Sequence, residues 1–330
     1  MVKPFSTYEE QINILRSRGM EFHDPELALK MLHTHNYYRL SGYWHSMREL
    51  DTKTHAPLDK FREGTSFELV ADLYHFDSLI RSSIISCLSP IEIAFRSLLS
   101  YHLGKIDPLI HLNEQKLSIA PDKQAKKRIR TYQEWRNKYH SSLAVSREDF
   151  IVHYRRKYNS ILPIWVAVEI MDWGMLSRLY QFSPRQPREE IAQICSMTAP
   201  QLESWLRSLN VLRNHAAHQA RIFTRVFSMK PKPINDHRMR EANRQLHKLF
   251  GQLCLIRYLQ LQLGLQEGLA LIPEALRTYP TNSLIPLERT GTPHNWRELE
   301  LWSPKISRHN AHHGHATAPP QELPATGSHR

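Results

Sequence analysis

The stretch "LRNHAAHQAR", residues 212–221, sets two arginines, an asparagine and two histidines among apolar neighbours. Three chemistries use such residues. A metal centre needs several converging His, Cys or carboxylate ligands; His215 and His218 lie three apart, but no carboxylate and no third ligand accompany them here. A hydrolase triad needs a nucleophile, and no Ser or Cys is suitably placed by sequence. Metal-free cleavage of RNA needs less. Histidine, with an ordinary pKa near neutrality, exchanges protons with ribose oxygens. Arginine holds the scissile phosphate and its transition-state charge, and the substrate's own 2′-hydroxyl is the nucleophile. Against all three stands a plain alternative: a capped, solvated helix face carrying a structural histidine.

On a helical wheel of 100° per residue, a helix opening at Thr198, with Gln201 completing a capping box, carries Leu202, Trp205, Leu209, Leu212, Ala216, Ala220, Phe223 and Phe227 on one broad face. Asn214, His218, Arg221 and Arg225 form a separate strip at i, i+4, i+7 and i+11. Arg213 sits at the edge of the apolar stripe, about 140° from His218, and its long stem can snorkel toward the strip. His215 lies some 60° off that strip and is less well placed.

The rest of the chain supplies context. Its 330 residues allow a large core, and 41% hydrophobic and 23% charged residues are ordinary for a folded protein. Only 11 glycines and eight valines argue against a β-rich architecture. Three widely separated cysteines, Cys87, Cys195 and Cys254, support neither a disulfide framework nor a cysteine zinc site, and fit a reducing cytoplasm. The first residues lack a signal-peptide core. The stretch "ILPIWVAVEIMDWGML" carries Glu169 and Asp172 and is too short and polar to span a bilayer. Of the net charge of +12, residues 121–160 contribute +7 and residues 200–260 contribute +8, leaving a nearly neutral body. Two such islands suit a polyanion, with nucleic acid the leading partner, or are solvated faces.

Periodicity predicts an all-α bundle of roughly eight to ten helices. Residues 5–18 and 25–35 read as short helices, the second opened by Asp24 and Pro25. "HNYYRLSGYWHSM" is expected to turn at Ser41–Gly42. Residues 66–102 form the longest pattern, with Asp77 inside the stripe Phe67, Val70, Leu73, Ile80 and Ile84, and a kink or restart at "SPIE", 89–92. Exposed basic helices over 121–139 and 147–158 are linked by "SSLAVS". Then come a buried helix over 162–180, a proline-marked loop "SPRQPRE", the motif helix, and a long helix over about 237–263. Residues 1–265 are read as the helical domain and 266–330 as a C-terminal extension. Beyond 280 the Pro, Thr, His and Gly content gives a disordered tail, most clearly after about 300.

Several landmarks stand in order: "NYYRLSGYW" (36–44), "FREGTSFELVADLYHFDSLIR" (61–81), "IEIAFRSLLSYHLG" (91–104), "FIVHYRRKYNSILPIWVAVEIMDWGMLSRLY" (150–180) and "LESWLRSLNVLRNHAAHQARIF" (202–223). Over roughly residues 5–260 the chain resembles the Abi-like (abortive infection) bacteriophage-resistance family of the AbiD/AbiF type, a branch of the HEPN superfamily. "RNHAAH" fits the R-x(4–6)-H pattern of that superfamily. The resemblance implies a helical bundle of HEPN type with additional helices, a bacterial cytoplasmic antiviral role, and a metal-independent endoribonuclease completed in a homodimer. Carried onto this chain, Arg213 and His218 are the catalytic pair and Asn214 the polar residue beside the arginine. The products implied are a 2′,3′-cyclic phosphate or 3′-phosphate end and a 5′-hydroxyl end. The chain departs from the family where a second histidine and a Trp-Asn pair often stand: those places hold Gln219, Phe223 and Thr224.

RNA-binding candidates are Arg221 and Arg225 on the strip and Arg155, Arg156 and Lys157 in the first basic island, beside His153. Glu92 and Arg96, four apart, read as a helix-stabilising pair. Asn36, Tyr37, Tyr38 and Arg39 read as packing residues, with RNA stacking the other use. The tail histidines His309, His312, His313 and His315 read as part of the disordered tail. No metal, cofactor or membrane contact is expected; RNA, a second copy and a small non-coding or antitoxin-like RNA are the expected partners. The alternative function is a non-catalytic RNA-binding protein holding a guide or antitoxin-like RNA.

Overall fold

Thr7 and Asp24 open the first two helices, α1 (Tyr8–Ser17) and α2 (Pro25–Thr34). The Thr7 hydroxyl accepts from the Glu10 amide at 3.2 Å and the Asp24 carboxylate from the Leu27 amide at 2.9 Å. The structure, a computed structural model, describes residues 4–118 and 125–303. It is 63% helical, with 13 α-helices and one small hairpin among the described residues. The fold is therefore all-α, as composition and periodicity predict.

The aromatic stretch after α2 does not turn at Ser41–Gly42. It is a helix, α3 (Tyr37–Trp44), capped by Asn36, whose side chain accepts from the Tyr38 amide at 2.8 Å. Gly42 serves a close approach instead: a β-carbon there would stand 3.3 Å from the Cδ of Arg221. A short antiparallel hairpin follows, β1 (Arg48–Leu50) on β2 (Pro57–Phe61).

The 38-residue α4 (Phe67–Gly104) is the spine of the molecule. The helix does not restart at "SPIE". Pro90 removes the amide that would bond the Ser86 carbonyl, yet Cys87, Leu88, Ile91, Phe95, Leu99 and Leu103 are all buried around and beyond it. Burial on both sides of the proline carries the helix through. By length and composition α4 could also cross a membrane; here it packs against α2 and α3 and against most of the helices that follow it.

Next, α5 (Ala125–Val145) continues through most of "SSLAVS", which is helix and not a linker, and α6 (Asp149–Lys157) follows it. α5 is also not simply exposed: Tyr132, Trp135 and Tyr139 are buried, the Trp135 ring stacking between the two tyrosines at 5.9 Å from each. The single helix expected over 162–180 is two. α7 (Ile164–Ala167) passes through a 3-10 turn to an extended Met171, and Asp172 caps a new helix, α8 (Trp173–Phe182), by accepting from the Met175 amide at 2.8 Å. The "SPRQPRE" segment is the start of α9 (Arg185–Ile194), its prolines lying at the cap and in the first turn, where no amide partner is lost.

The motif helix is α10 (Ala199–Ala217). The expected helix over 237–263 breaks into α11 (Arg240–Arg244) and α12 (Leu249–Gln262), because the chain at 245–246 folds back onto Gly251. A β-carbon at Gly251 would stand 2.3 Å from the Gln245 carbonyl oxygen. Leu249 to Leu261 are buried on every face, which makes α12 the innermost helix. α13 (Leu271–Arg277) packs on α4. The sequence-based expectation of a tail from 280 is corrected: 280–303 is folded against the core. Leu301, Trp296 and Trp302 are buried, the Trp302 ring lies 5.8 Å from Phe250, and Arg257 donates to the Leu301 carbonyl at 3.1 Å. The rest of the expected tail, with His309, His312, His313 and His315, lies outside the described residues.

One buried group makes the fold sensitive to acid. His111, fully buried beside Tyr139 (ring centroids 5.3 Å apart), has no hydrogen-bond partner for either ring nitrogen. Burial, and then the neighbouring His140, bring its pKa down from 6.5 to about 4. Between those values the unfolded chain binds a proton that the folded chain refuses. His111 therefore leaves stability intact above its unfolded pKa and lowers it as pH falls, by about 3 kcal/mol once below the folded pKa. Urea unfolding of wild type and His111→Phe from about pH 7.5 down to about pH 4.5 checks this: the wild type loses more stability, and the difference between the two tracks that window.

Candidate functional site

The motif helix begins with the Gln201 side chain accepting from the Thr198 amide at 2.9 Å. It is seated by Trp173, whose indole donates to the Leu206 carbonyl at 2.8 Å, and by Ser208, which donates to Gln252 of α12 at 2.8 Å. Leu202, Trp205, Leu209, Leu212 and Ala216 are buried, as the wheel predicts. The apolar face fixes the helix; the polar residues are left at its far end.

That end arrives earlier than the periodicity suggests. The helix stops at Ala217 and His218 is its C-cap. Gln219 is left-handed, with φ of 55°. The Gln219 amide donates to the Ala216 carbonyl at 3.1 Å and the Ala220 amide to the His215 carbonyl at 2.9 Å. This is a Schellman closure with glutamine at the position glycine usually takes. Consequently Arg221 and Arg225 do not extend a helical strip, and Phe223 and Phe227 are buried from a loop and not from a helix face.

A buried cluster explains why the chain leaves the helix there. Asp77 on α4 is fully buried. One oxygen accepts from the Phe223 amide at 2.7 Å and the Ile222 amide at 3.3 Å; the other accepts from the Tyr43 hydroxyl at 2.6 Å and from Arg81. Burial pushes the Asp77 carboxyl up, while these donors favour its charged form. Arg81 also reaches forward, its Nε donating to the Gln219 side chain at 3.1 Å. From α3, Arg39 donates to the Gln219 carbonyl at 2.7 Å, and Arg221 returns a bond to the Gly42 carbonyl at 2.6 Å. The Phe223 ring stacks parallel to Tyr43 with centroids 6.2 Å apart. These bonds hold the loop after His218 at four residues, Gln219, Arg221, Ile222 and Phe223.

Arg213, Asn214 and His218 thus lie on the last turn and cap of one helix. Asn214 and His218 are exposed and Arg213 is half-buried. Arg213 lies near Asp172, the cap of α8. Burial alone would raise the Asp172 carboxyl, but an ion pair with Lys138, the Met175 amide and the Arg213 charge hold it below the usual range. Gly174 leaves room for the capping carboxylate, since a β-carbon there would stand 3.3 Å from Asp172 Oδ1. His215 is half-buried with its ring centroid 6.1 Å from Phe227. Burial, then Arg225 and His218, depress its pKa, so at neutral pH it is an uncharged imidazole. His215, His218 and Arg225 therefore lie within electrostatic reach of one another at the end of α10, with Asn214 on the same last turn and Arg213 on the side toward Asp172. Such a set can hold an anion and move protons. Among the described residues no three His, Cys, Asp or Glu side chains come together as a metal site.

The remaining candidates are placed differently. Arg221 is tied to Gly42, and Arg225 donates to the Arg221 carbonyl at 2.9 Å. Arg155 folds back on the C-terminus of α5, its Nη2 donating to the Leu143 carbonyl at 3.0 Å. Arg156 and Lys157 are exposed on α6. Glu92 and Arg96 pair at 2.6 Å as expected, and Arg96 also bonds the Met171 carbonyl at 2.9 Å, fixing the α7–α8 junction. The residues sequence reasoning missed are Asp77, Arg81 and Gln219. The signal was present: a carboxylate inside an apolar stripe, with an arginine four residues on.

Asp77→Ala leaves the Arg81 charge buried without its partner, so a loss of about 3–5 kcal/mol is expected in urea unfolding. Hydrogen exchange at the Ile222 and Phe223 amides should accelerate in Asp77→Asn, where the geometry is kept and the charge removed. Unchanged exchange would show that the loop is held by other means.

Residues 30–224, from α2 through the motif loop to Thr224, match the family model described as Abi-like protein. Searches of curated proteins and of solved structures returned no match. The matched segment takes in α3, the whole of α4, α10 and every residue of the Asp77 cluster, so the family's model and the buried framework behind the motif coincide. With more than half its length matched, the chain belongs to the Abi-like protein family.

Proposed function

We propose that this chain is a metal-independent endoribonuclease of HEPN type, acting in abortive-infection defence against bacteriophage in the bacterial cytoplasm. The observation that carries this reading is the placing of Arg213, Asn214 and His218 on the last turn and cap of α10, with Asn214 and His218 exposed, Arg213 half-buried, and the next loop fixed from α3 and α4. In this reading His218 takes the proton from a ribose 2′-hydroxyl as its oxygen forms a bond to phosphorus. The bond from phosphorus to the 5′-oxygen breaks, and the leaving oxygen takes a proton from a second imidazole. Arg213 binds the phosphate and the charge that accumulates on it, with Asn214 donating beside it. The products are a 2′,3′-cyclic phosphate and a 5′-hydroxyl.

A second copy completes this arrangement. Two α10 termini meeting on a two-fold axis bring two Arg/His pairs to one groove and supply base and acid separately. RNA is the substrate, and an antitoxin-like RNA is a fitting regulator. The exposed Arg156 and Lys157 are suited to hold its backbone.

The test is incubation of purified protein with RNA in excess chelator, wild type beside His218→Ala and Arg213→Ala. Cleavage that survives chelator and falls by about a hundredfold or more in each variant is the expected outcome. Tight, salt-sensitive RNA binding with no cleavage in the wild type would overturn the enzyme and leave the non-catalytic RNA-binding reading.

A further inference from the structure

An open groove of about 610 Å³ lies between the N-terminal segment, α1 and the α2–α3 corner. That volume is in the range of ligand pockets. Its rim is made of aromatic rings that the core does not use: Phe5 is 90% exposed, Tyr38 68% and Tyr8 40%. Two of these rings are braced, Tyr8 edge-on to His33 at 4.4 Å and Tyr38 edge-on to Tyr37 at 5.7 Å, with Tyr37 in turn against the buried Trp44. Among the described residues, the lining contains no carboxylate; its Arg18 guanidinium is paired with Asp59, just outside the lining, at 3.4 Å. Gln11, also in the lining, spends its amide nitrogen on the Ser6 carbonyl at 3.0 Å and leaves its buried side-chain oxygen without a donor.

Exposed, braced rings with an unfilled acceptor match a flat heteroaromatic group that carries N–H donors on its edge. The groove is also linked to the motif. One residue beyond Tyr38, Arg39 bonds the carbonyl of Gln219, the residue that follows His218. We propose that this groove is a subsite for an unpaired base of single-stranded RNA, stacked on Tyr38 and Tyr8, with its edge N–H groups donated to Gln11. The inference rests on the reading of RNA as the ligand of this protein. It assigns Tyr38, Tyr8 and Gln11 to selecting single-stranded over paired RNA, since a base inside a duplex offers no free face.

The test uses the full chain carrying His218→Ala, so that bound RNA stays whole if the wild type cuts it. The probe is a short fluorescent single-stranded oligoribonucleotide containing one photoreactive thiouridine. Adducts on Tyr8 or Tyr38 are expected. Tyr38→Ala should weaken binding by about fivefold to 150-fold, the loss expected for one stacked base. The salt dependence should stay unchanged, because phosphate contacts are kept, and Tyr38→Phe should restore affinity. Unchanged affinity in the Tyr8→Ala, Tyr38→Ala double variant, or adducts confined to α6, overturns the subsite. So does a change in sedimentation with RNA affinity intact, which would assign the groove to a second copy. If the wild type cuts RNA and the double variant binds normally, the subsite falls and the nuclease stands. If adducts and affinity loss appear while the wild type cuts nothing, the nuclease falls and the subsite stands. No RNA binding at all overturns both.

Discussion

The Asp77 carboxylate is the constraint on which the rest of the site depends. It has no access to water, so its charge is tolerable only because every bond it needs is supplied from inside. Those donors come from three separate parts of the chain: Tyr43 on α3, Arg81 one turn along α4, and the amides of Ile222 and Phe223 beyond the motif. None of the three can leave without stranding a buried charge. A tolerance of this kind is not a large net gain in stability, since a well-packed apolar cluster would serve as well. What the ion cluster supplies is a single permitted path for the chain after His218.

That path carries a local cost which the same cluster offsets. Glutamine in the left-handed region is disfavoured by its β-carbon, and most helices that end this way use glycine. Here the Gln219 side chain and carbonyl are each held by an arginine, from α4 and α3 respectively. The exchange converts a flexible cap into a fixed one. The imidazole of His218 is then mounted between the last turn of a packed helix and a loop tied down at the very next residue, which suits a group that must present itself to a reacting atom in one geometry.

The Arg213 side of the site is organised by a second capped corner. Asp172 starts α8, pairs with Lys138 of α5 and lies near Arg213, while Arg96 of α4 fixes the preceding carbonyl. Both corners are therefore referred to α4. Its length matters because one rigid element sets the spacing between the loop after His218 and the cap beside Arg213. The C-terminal segment contributes from behind: α13 lies against α4, and the residues around Trp302 close over α12, completing the packing that holds α4 in place.

From sequence alone, the helical class, the positions of α1, α2 and α4, the buried face of α10 and the presence of Arg213, Asn214 and His218 on that one helix and its cap were readable. Each depends on spacing within one helix, and 3.6-residue periodicity is a local property. The end of α10 was not readable, because its stop is set by a glutamine that carries no propensity for the left-handed region and by donors and acceptors more than a hundred residues away. The same reason hid the role of Gly42, which is to admit Arg221, and the packing of 280–303, whose apolar residues are few but meet α12. The break between α7 and α8 was a different case, since Asp172 and Gly174 are local signals outweighed by the apolar residues on either side of them. The sequence determined which residues share a helix. Only the tertiary structure decided where that helix ends and what holds the chain beyond it, because buried polar groups must find partners wherever the fold supplies them.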